Sequence, residues 1–323
     1  MLYLNKKDIE KIGNDWNAIA DIIKRSVVTL GMKDFSQPVK PYLRYNDLTN
    51  RIIAMPAYIG GDIALSGIKW IASFPGNLDK GIPRAHSVTI LNEASTGVPL
   101  CTLNTPLISG IRTAGVTALV IKEWLKHQDT TRPLNVGITG FGPIGQLHLE
   151  MVWSILGDRA GKVFLYDLRG IEERMIPTEM RDKVVVCESW EHAYVDSDIF
   201  MTCTVSKAPY IDKKPKKGSL QLNVSLRDYK PEIMPYIKLM IVDDWEEVCR
   251  EETDIEVMHK KMGLKKEDTV SIVEMIDRDV FKDLSADEVA MFNPMGMAVF
   301  DIAIGRYYYQ KALDTDSGVM LED

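Results

Sequence analysis

The opening residues, MLYLNKKDIEKIGNDWNAIADIIKRSVVTLG, place apolar side chains at Ile9, Ile12, Trp16, Ile19, Ile22 and Ile23. That spacing predicts an amphipathic helix from Met1 to about Gly31. Between Pro41 and Leu103 the period changes: short runs rich in Ile and Val (RIIAMPAYI, ALSGIKWIAS, SVTILNEASTGVPL, CTLN) alternate with glycine, asparagine and proline. Strands joined by turns are expected there, with a hairpin loop at Asn92 to Gly97. Ser109 to Lys126 returns to helical spacing through Ile111, Ala114, Ala118, Ile121 and Leu125.

A polar break at Thr130 to Pro133 opens a second pattern. LNVGITG, a helical stretch from Gly145 to Leu156, KVFLYD, VVVCES, DIFMTCTV, SLQLNVS and LMIVDD follow one another. Such alternation predicts a parallel sheet with helices on both faces. The segment MGMAVFDIAIGRYYYQK, Met295 to Lys311, reads as a further helix that either caps this sheet or returns to the first domain. The expected fold class is therefore α/β: a Rossmann-type doubly wound parallel sheet over 131–291, and an α+β domain over 1–130 joined by 292–323. A chain of 323 residues suits two domains.

Composition changes this picture little, with 46% hydrophobic and 26% charged residues as in ordinary globular proteins. A net charge of -7 leaves no broad basic field for a phosphate backbone, so nucleic acid is not an expected partner. Lys213, Lys214, Lys216 and Lys217 lie among prolines before Gly218 and read as a solvated turn. No apolar run approaches the roughly 20 residues that span a bilayer, and the N-terminus turns charged too early for a secretory signal. No membrane association and a cytoplasmic location are expected. Cys101, Cys187, Cys203 and Cys249 show no CxxC pair and no histidine at zinc-ligand spacing, so reduced thiols and no metal are expected.

The candidate chemistry begins at GITGFGPIGQLH, where Gly140, Gly142 and Gly145, with Pro143 and Ile144 between them, satisfy GxGxxG between a strand and a helix. Gly140 would make the tight turn, Gly142 would let a pyrophosphate approach the backbone, and Gly145 would let helix pack on strand. The helix N-terminus would present N–H groups to the phosphates. Asp167, 22 residues beyond Gly145, stands where an acid accepts from ribose hydroxyls. An acid there repels a 2'-phosphate, so NAD is the expected cofactor, although the neighbouring Arg169 has the charge to pair with one.

Four cations stand out in the first domain: Arg44, Lys69, Arg84 and Arg112. Lys69 lies inside an apolar strand, where an unpaired ammonium would be costly. An anionic ligand is expected to supply its partner, which makes a carboxylate-bearing small molecule the expected substrate. His86, beside Arg84, is either a base or a structural loop histidine.

KPYLR, IIAMP, SGIKW, RTAG, ITGFGPIG, TCTV and NPMGMAVFDIA together resemble the ornithine cyclodeaminase and mu-crystallin family along essentially the whole chain. The resemblance implies a homodimer whose N-terminal domain, joined by the returning C-terminal helix, binds substrate and forms the subunit contact. It implies that Arg44, Lys69 and Arg112 bind carboxylate, with Arg84 and His86 near them, and that Lys69 and Asp228 are catalytic. It also implies that Met295 and Gly296 lie against the nicotinamide, with Thr202, Thr204 and Val205 near the ribose. Two departures matter: the cyclodeaminases carry a catalytic glutamate just before this Met-Pro, and here Ile53 occupies its place in IIAMP; and their essential aspartate after the strand near residue 225 matches Asp228 only across a short gap.

Within the family, KPYLR, RIIAMP, SGIKWI, VDDW and NPMGMA are most similar to dehydrogenases acting on N-(2-amino-2-carboxyethyl)-glutamate in 2,3-diaminopropionate and siderophore synthesis. The implied reaction is NAD-dependent oxidation of the secondary amine and cleavage to 2,3-diaminopropionate and 2-oxoglutarate. An ornithine or lysine cyclodeaminase, a cyclic imine reductase, and a crystallin-like nucleotide binder without turnover are the alternatives.

Overall fold

The computed structural model describes residues 1–129 and 131–322, so Thr130, where the polar break was expected to begin, lies outside the described residues. The chain divides into two units, Met1–Gly115 with Met297–Asp323, and Val116–Gly296. The division falls within a helix, between Gly115 and Val116.

The first unit carries a sheet of β1 (Leu2–Asn5), β2 (Phe35–Ser36), β3 (Tyr42–Leu43), β4 (Arg51–Ile59), β5 (Leu65–Ser73), β6 (Ala85–Glu93), β7 (Pro99–Asn104) and β16 (Val319–Met320). Its order is β16-β1-β7-β6-β5-β4-β2, with β3 also paired to β4. Strands β4 to β7 form an antiparallel meander, closed at Asn92 to Gly97 where Asn92 Nδ2 donates to Gly97 O at 2.9 Å. Helices α1 (Lys6–Ile12), α2 (Trp16–Gly31), α3 (Leu107–Leu125) and α9 (Ala298–Asp314) accompany it, and α9 packs on β4, β5, β6 and α2. The helix expected near Met295 therefore belongs to the first unit.

The single helix expected over Met1 to Gly31 is not formed. Leu2 and Leu4 alternate into the core as β1, parallel to β7. Asn5 then caps α1, its side chain accepting from Lys7 N at 2.8 Å while its own N–H donates to Asp8 Oδ2 at 2.8 Å. Gly13, at φ 77°, separates α1 from α2.

Alternation along β5 gives its two faces different tasks. Lys69 is paired with Met55 and Thr89 and points toward α9. Trp70, paired with Ala54 and Val88, points the other way and is 43% exposed.

The second unit holds β8 (Leu134–Thr139), β9 (Ala160–Tyr166), β10 (Val184–Val186), β11 (Ile199–Thr202), β12 (Leu220–Leu222), β13 (Ile237–Val242), β14 (Val270–Ser271) and β15 (Val289–Asn293). All its described pairings are parallel, in the order β10-β9-β8-β11-β12-β15-β13-β14. Helices α4 (Pro143–Leu156), α5 (Trp190–Val195), α6 (Trp245–Val248), α7 (Asp254–Met262) and α8 (Ile272–Asp277) lie between strands in sequence. The order reverses between β8 and β11, the switch point of a doubly wound sheet, where ligands bind outside the strand C-termini. Strand β15 was not expected. Its five residues are all buried, and a short apolar run without alternation carries little strand signal of its own.

Candidate functional site

At the end of β8 the three glycines have distinct surroundings. Gly140 has φ +83°, and a Cβ on it would lie 2.6 Å from the backbone of Cys203 at the end of β11. A Cβ on Gly145 would lie 2.1 Å from Gly140 O, so the start of α4 sits directly on the turn. A Cβ on Gly142 would meet nothing within 4 Å: the backbone there is open to an approaching group. Pro143 and Ile144 form the first turn of α4, whose N-cap is Gly142. Asp167 closes the loop, its Oδ2 accepting from Phe141 N at 2.7 Å and its Oδ1 from Arg169 N at 2.9 Å. This backbone fits a dinucleotide pyrophosphate with an acid beside the ribose position.

Along the same edge, β11 ends in Thr202 to Val205. Thr202 is fully buried, its hydroxyl donating to Asn223 Oδ1 at 3.3 Å and accepting from Ser225 Oγ at 2.9 Å. Val205 is exposed. Thr204 Oγ1 donates to Asp228 Oδ1. Asp228 is itself fully buried, and among the described residues its Oδ2 has no hydrogen-bond partner. Burial pushes its carboxyl up to about 6, against the Thr204 hydrogen bond that favours the ionised form. A carboxyl poised near neutral pH with one open oxygen can accept and return a proton. At the end of β15, Met295 N and Gly296 N donate to Asp243 Oδ1 and Oδ2 at 3.0 and 2.6 Å. The sequence reading missed Asp243; the acid pair VDD closing a buried strand was the available signal.

In the first unit, Lys69 is 1% exposed and its Nζ lies 2.8 Å from Asp301 Oδ2 and 3.3 Å from Ser109 Oγ. The partner expected from a ligand is therefore supplied by the protein, from α9. Arg112 on α3 gives Nε to the other oxygen, Asp301 Oδ1, at 3.1 Å. Burial pulls the Lys69 ammonium down to about 8 against the opposing pull of Asp301, with the Arg112 charge adding to the depression. Two cations thus share one carboxylate, and a buried anion from a substrate would balance the set. Asp301 was also missed in the sequence. Its signal was an acid within a helix, AVFDIAIG, that is apolar on every side, since a fully buried acid must be paired.

The remaining cations are placed differently. Arg44 is exposed after β3, with Nη1 donating to Leu48 O at 2.8 Å and its guanidinium over the Tyr42 ring. Arg84 is half-buried just before β6. His86 pairs with Ala72, which puts its side chain on the face of the sheet opposite Lys69. His86, the candidate base set against Asp228, is therefore not on the Lys69 side of the sheet. Ile53 pairs with Tyr42 and Ile71 in β4, an apolar residue where the cyclodeaminase glutamate would stand. The lysines after Asp212 behave as a charged turn, with Lys213, Lys216 and Lys217 paired to Glu191, Asp198 and Asp287.

A doubly wound sheet with a glycine-rich loop and a poised carboxyl, accompanied by a cation-lined α+β unit, defines a dinucleotide-binding enzyme architecture. The family model for the ornithine cyclodeaminase/mu-crystallin family matches residues 8–316, and the chain belongs to that family. It is 32% identical to the N-((2S)-2-amino-2-carboxyethyl)-L-glutamate dehydrogenase of Staphylococcus aureus, over 99% of this chain and 98% of that protein. Its fold is similar to that of Thermococcus litoralis Delta(1)-pyrroline-2-carboxylate reductase, solved in complex with NADH and L-proline, with TM-score 0.86 and 22% identity over 99% of this chain and 100% of that one. It is also similar to an archaeal alanine dehydrogenase dimer with bound NAD, with TM-score 0.81 and 23% identity over 100% and 99% of the two chains.

Proposed function

We propose that this chain is an NAD-dependent oxidoreductase that cleaves N-(2-amino-2-carboxyethyl)-L-glutamate to 2,3-diaminopropionate and 2-oxoglutarate. The observation that carries the reading is the buried Lys69–Asp301–Arg112 set, whose surplus positive charge calls for an anionic substrate. The full-length similarity to the S. aureus dehydrogenase supports the particular diacid.

Bound NAD would accept a hydride from the glutamate Cα. Gly140 to Gly145 would hold its pyrophosphate, Asp167 its ribose, and Thr204, Val205, Met295 and Gly296 would line the nicotinamide end. Lys69 and Arg112 would hold a substrate carboxylate, Arg112 through the terminal nitrogens that Asp301 does not take. Arg44 and Arg84 are the candidates for the distal carboxylate. Asp228 takes the proton from the secondary amine as the C=N bond forms. It then directs water to the imine carbon and returns a proton to the departing amine as the C–N bond breaks. One hydride and one net proton leave, and one water is consumed.

The assay is direct: purified protein, NAD and the diacidic amine, following NADH formation and 2-oxoglutarate release. Equal amounts of both are expected. Proline and ammonia from ornithine without net NADH would replace this reading with a cyclodeaminase, and NAD binding without turnover of any substrate would favour a nucleotide-binding protein. The chain is further proposed to act in the cytoplasm, as a homodimer joined through the Trp70 face of its first sheet. Among the described residues no helix is long and apolar enough to cross a membrane.

A further inference from the structure

The loop that carries Asp228 is gathered around a second buried acid. Asp254, the first residue of α7, is 2% exposed. Its Oδ2 accepts from Asn223 Nδ2 at 3.0 Å and from the backbone N–H groups of Asp228 and Tyr229, both at 3.1 Å. Its own N–H donates to Leu226 O at 2.8 Å. Leu226 has φ 61°, a left-handed conformation that residues with a Cβ rarely adopt. It is held there from the other side by Leu226 N donating to Asn223 Oδ1 at 3.2 Å, and Asn223 is anchored to Asn293 at 2.9 Å. Strain of this kind persists only where the surroundings over-determine it, and it gathers at working sites.

A neutral side chain would satisfy the same N–H donors. Burial, with the Asp228 charge as a further contribution, lifts the Asp254 carboxyl to about 7, beside Asp228 at about 6. Of the other groups facing them, burial keeps the Cys203 thiol and the Tyr210 and Tyr229 phenols neutral. The Arg227 cation favours ionised Asp228 while its Nη2 donates to Glu251 O at 2.7 Å.

We propose that Asp254 is the positioning residue for Asp228, fixing the loop that carries it through the backbone N–H groups of Asp228 and Tyr229. This rests on the reading of Asp228 as the group that exchanges protons with the substrate. Asp254 acts through Asp228: it sets where the Asp228 carboxyl stands.

Two measurements test it. Infrared titration of the protonated-carboxyl band needs no substrate. Asp254→Ala should move the step that Asp228→Asn removes, because the Asp228 carboxyl then leaves its buried place beside Thr204. A step left at its wild-type position would overturn the positioning. In turnover of N-(2-amino-2-carboxyethyl)-L-glutamate, Asp254→Ala should lower kcat about 100-fold, the order expected for a misplaced catalytic group, with the KM for NAD unchanged. It should lower kcat no further in an Asp228→Asn background. An unchanged kcat, or an equal fall in that background, would overturn the positioning role. Asp254→Asn, which keeps an acceptor for the three N–H groups, should restore most of the rate and replaces the alanine variant in the cycle if that variant does not fold. An Asp228→Asn enzyme as fast as wild type would instead refute the reading of Asp228, and the infrared result would still decide the positioning.

Discussion

Asp301 Oδ2 lies 2.8 Å from Lys69 Nζ across a sequence separation of 232 residues, and both side chains are buried. Because Asp301 also holds Arg112, its removal strands two cations in a dry interior. Asp301→Asn is expected to destabilise the protein by about 3–5 kcal/mol, the usual cost of breaking a buried ion set from one side. Lys69→Met leaves Asp301 paired with Arg112 and nearly conserves volume, so it should cost less than about 1.5 kcal/mol while sharply raising the KM for the diacid. Urea unfolding of the two variants checks the ordering; the reverse order would refute the account of the triad.

The two perturbed groups define a pH profile. Asp228 must be ionised to take a proton, so kcat/KM should rise as pH climbs through about 6. Lys69 holds a carboxylate only while protonated, so kcat/KM should fall as pH climbs through about 8. The result is a bell with its top between these values. Lys69→Arg keeps its charge at all these pH values and should lose the alkaline limb while retaining the acidic one. An alkaline limb that survives in Lys69→Arg would assign it to another group.

Gly142 and Gly145 should separate stability from binding. Among the described residues a methyl at Gly142 meets nothing within 4 Å, so Gly142→Ala should leave unfolding within about 0.5 kcal/mol of wild type. It should nevertheless weaken NAD at least about tenfold, some 1.4 kcal/mol, because the added methyl lies in the path of the pyrophosphate. At Gly145 the methyl would sit 2.1 Å from Gly140 O, and the displaced helix start should cost about 1–3 kcal/mol in stability as well. Calorimetric titration with NADH and thermal unfolding read the two effects independently.

These residues also mark what was legible in the sequence. The glycine loop is local, each position having a task within six residues, so its turn and packing roles could be named in advance. Strands β4 to β7 were legible for the same reason, alternation and turn residues being properties of neighbours. The partner of Lys69 was not legible. A buried ammonium announces that it needs an anion but not where along the chain that anion lies, and Asp301 comes from the far end. Asp254 was hidden similarly, an acid opening a helix in TDIE that reads as an ordinary first-turn carboxylate until the fold buries it. The parallel strand β15 carried no alternation to read, because both its faces are covered.

The outer face of the first sheet supplies the last prediction. Across β4, β5 and β6, the row opposite Lys69 brings together Ala54, Pro56, Ile68, Trp70, Val88 and Ile90. Only partly buried, these side chains form an apolar patch around a Trp70 that is 43% exposed. Patches of this kind on a regular sheet are usual interaction surfaces, and a central tryptophan is a common anchor in one. Trp70→Asp places a charge at the centre and should weaken self-association by at least about 2 kcal/mol, roughly 30-fold in Kd. Sedimentation velocity at micromolar protein should then show monomer where wild type shows dimer, with circular dichroism unchanged because Trp70 is not part of the core beneath α9. A variant that still sediments as a dimer would move the subunit contact to another surface.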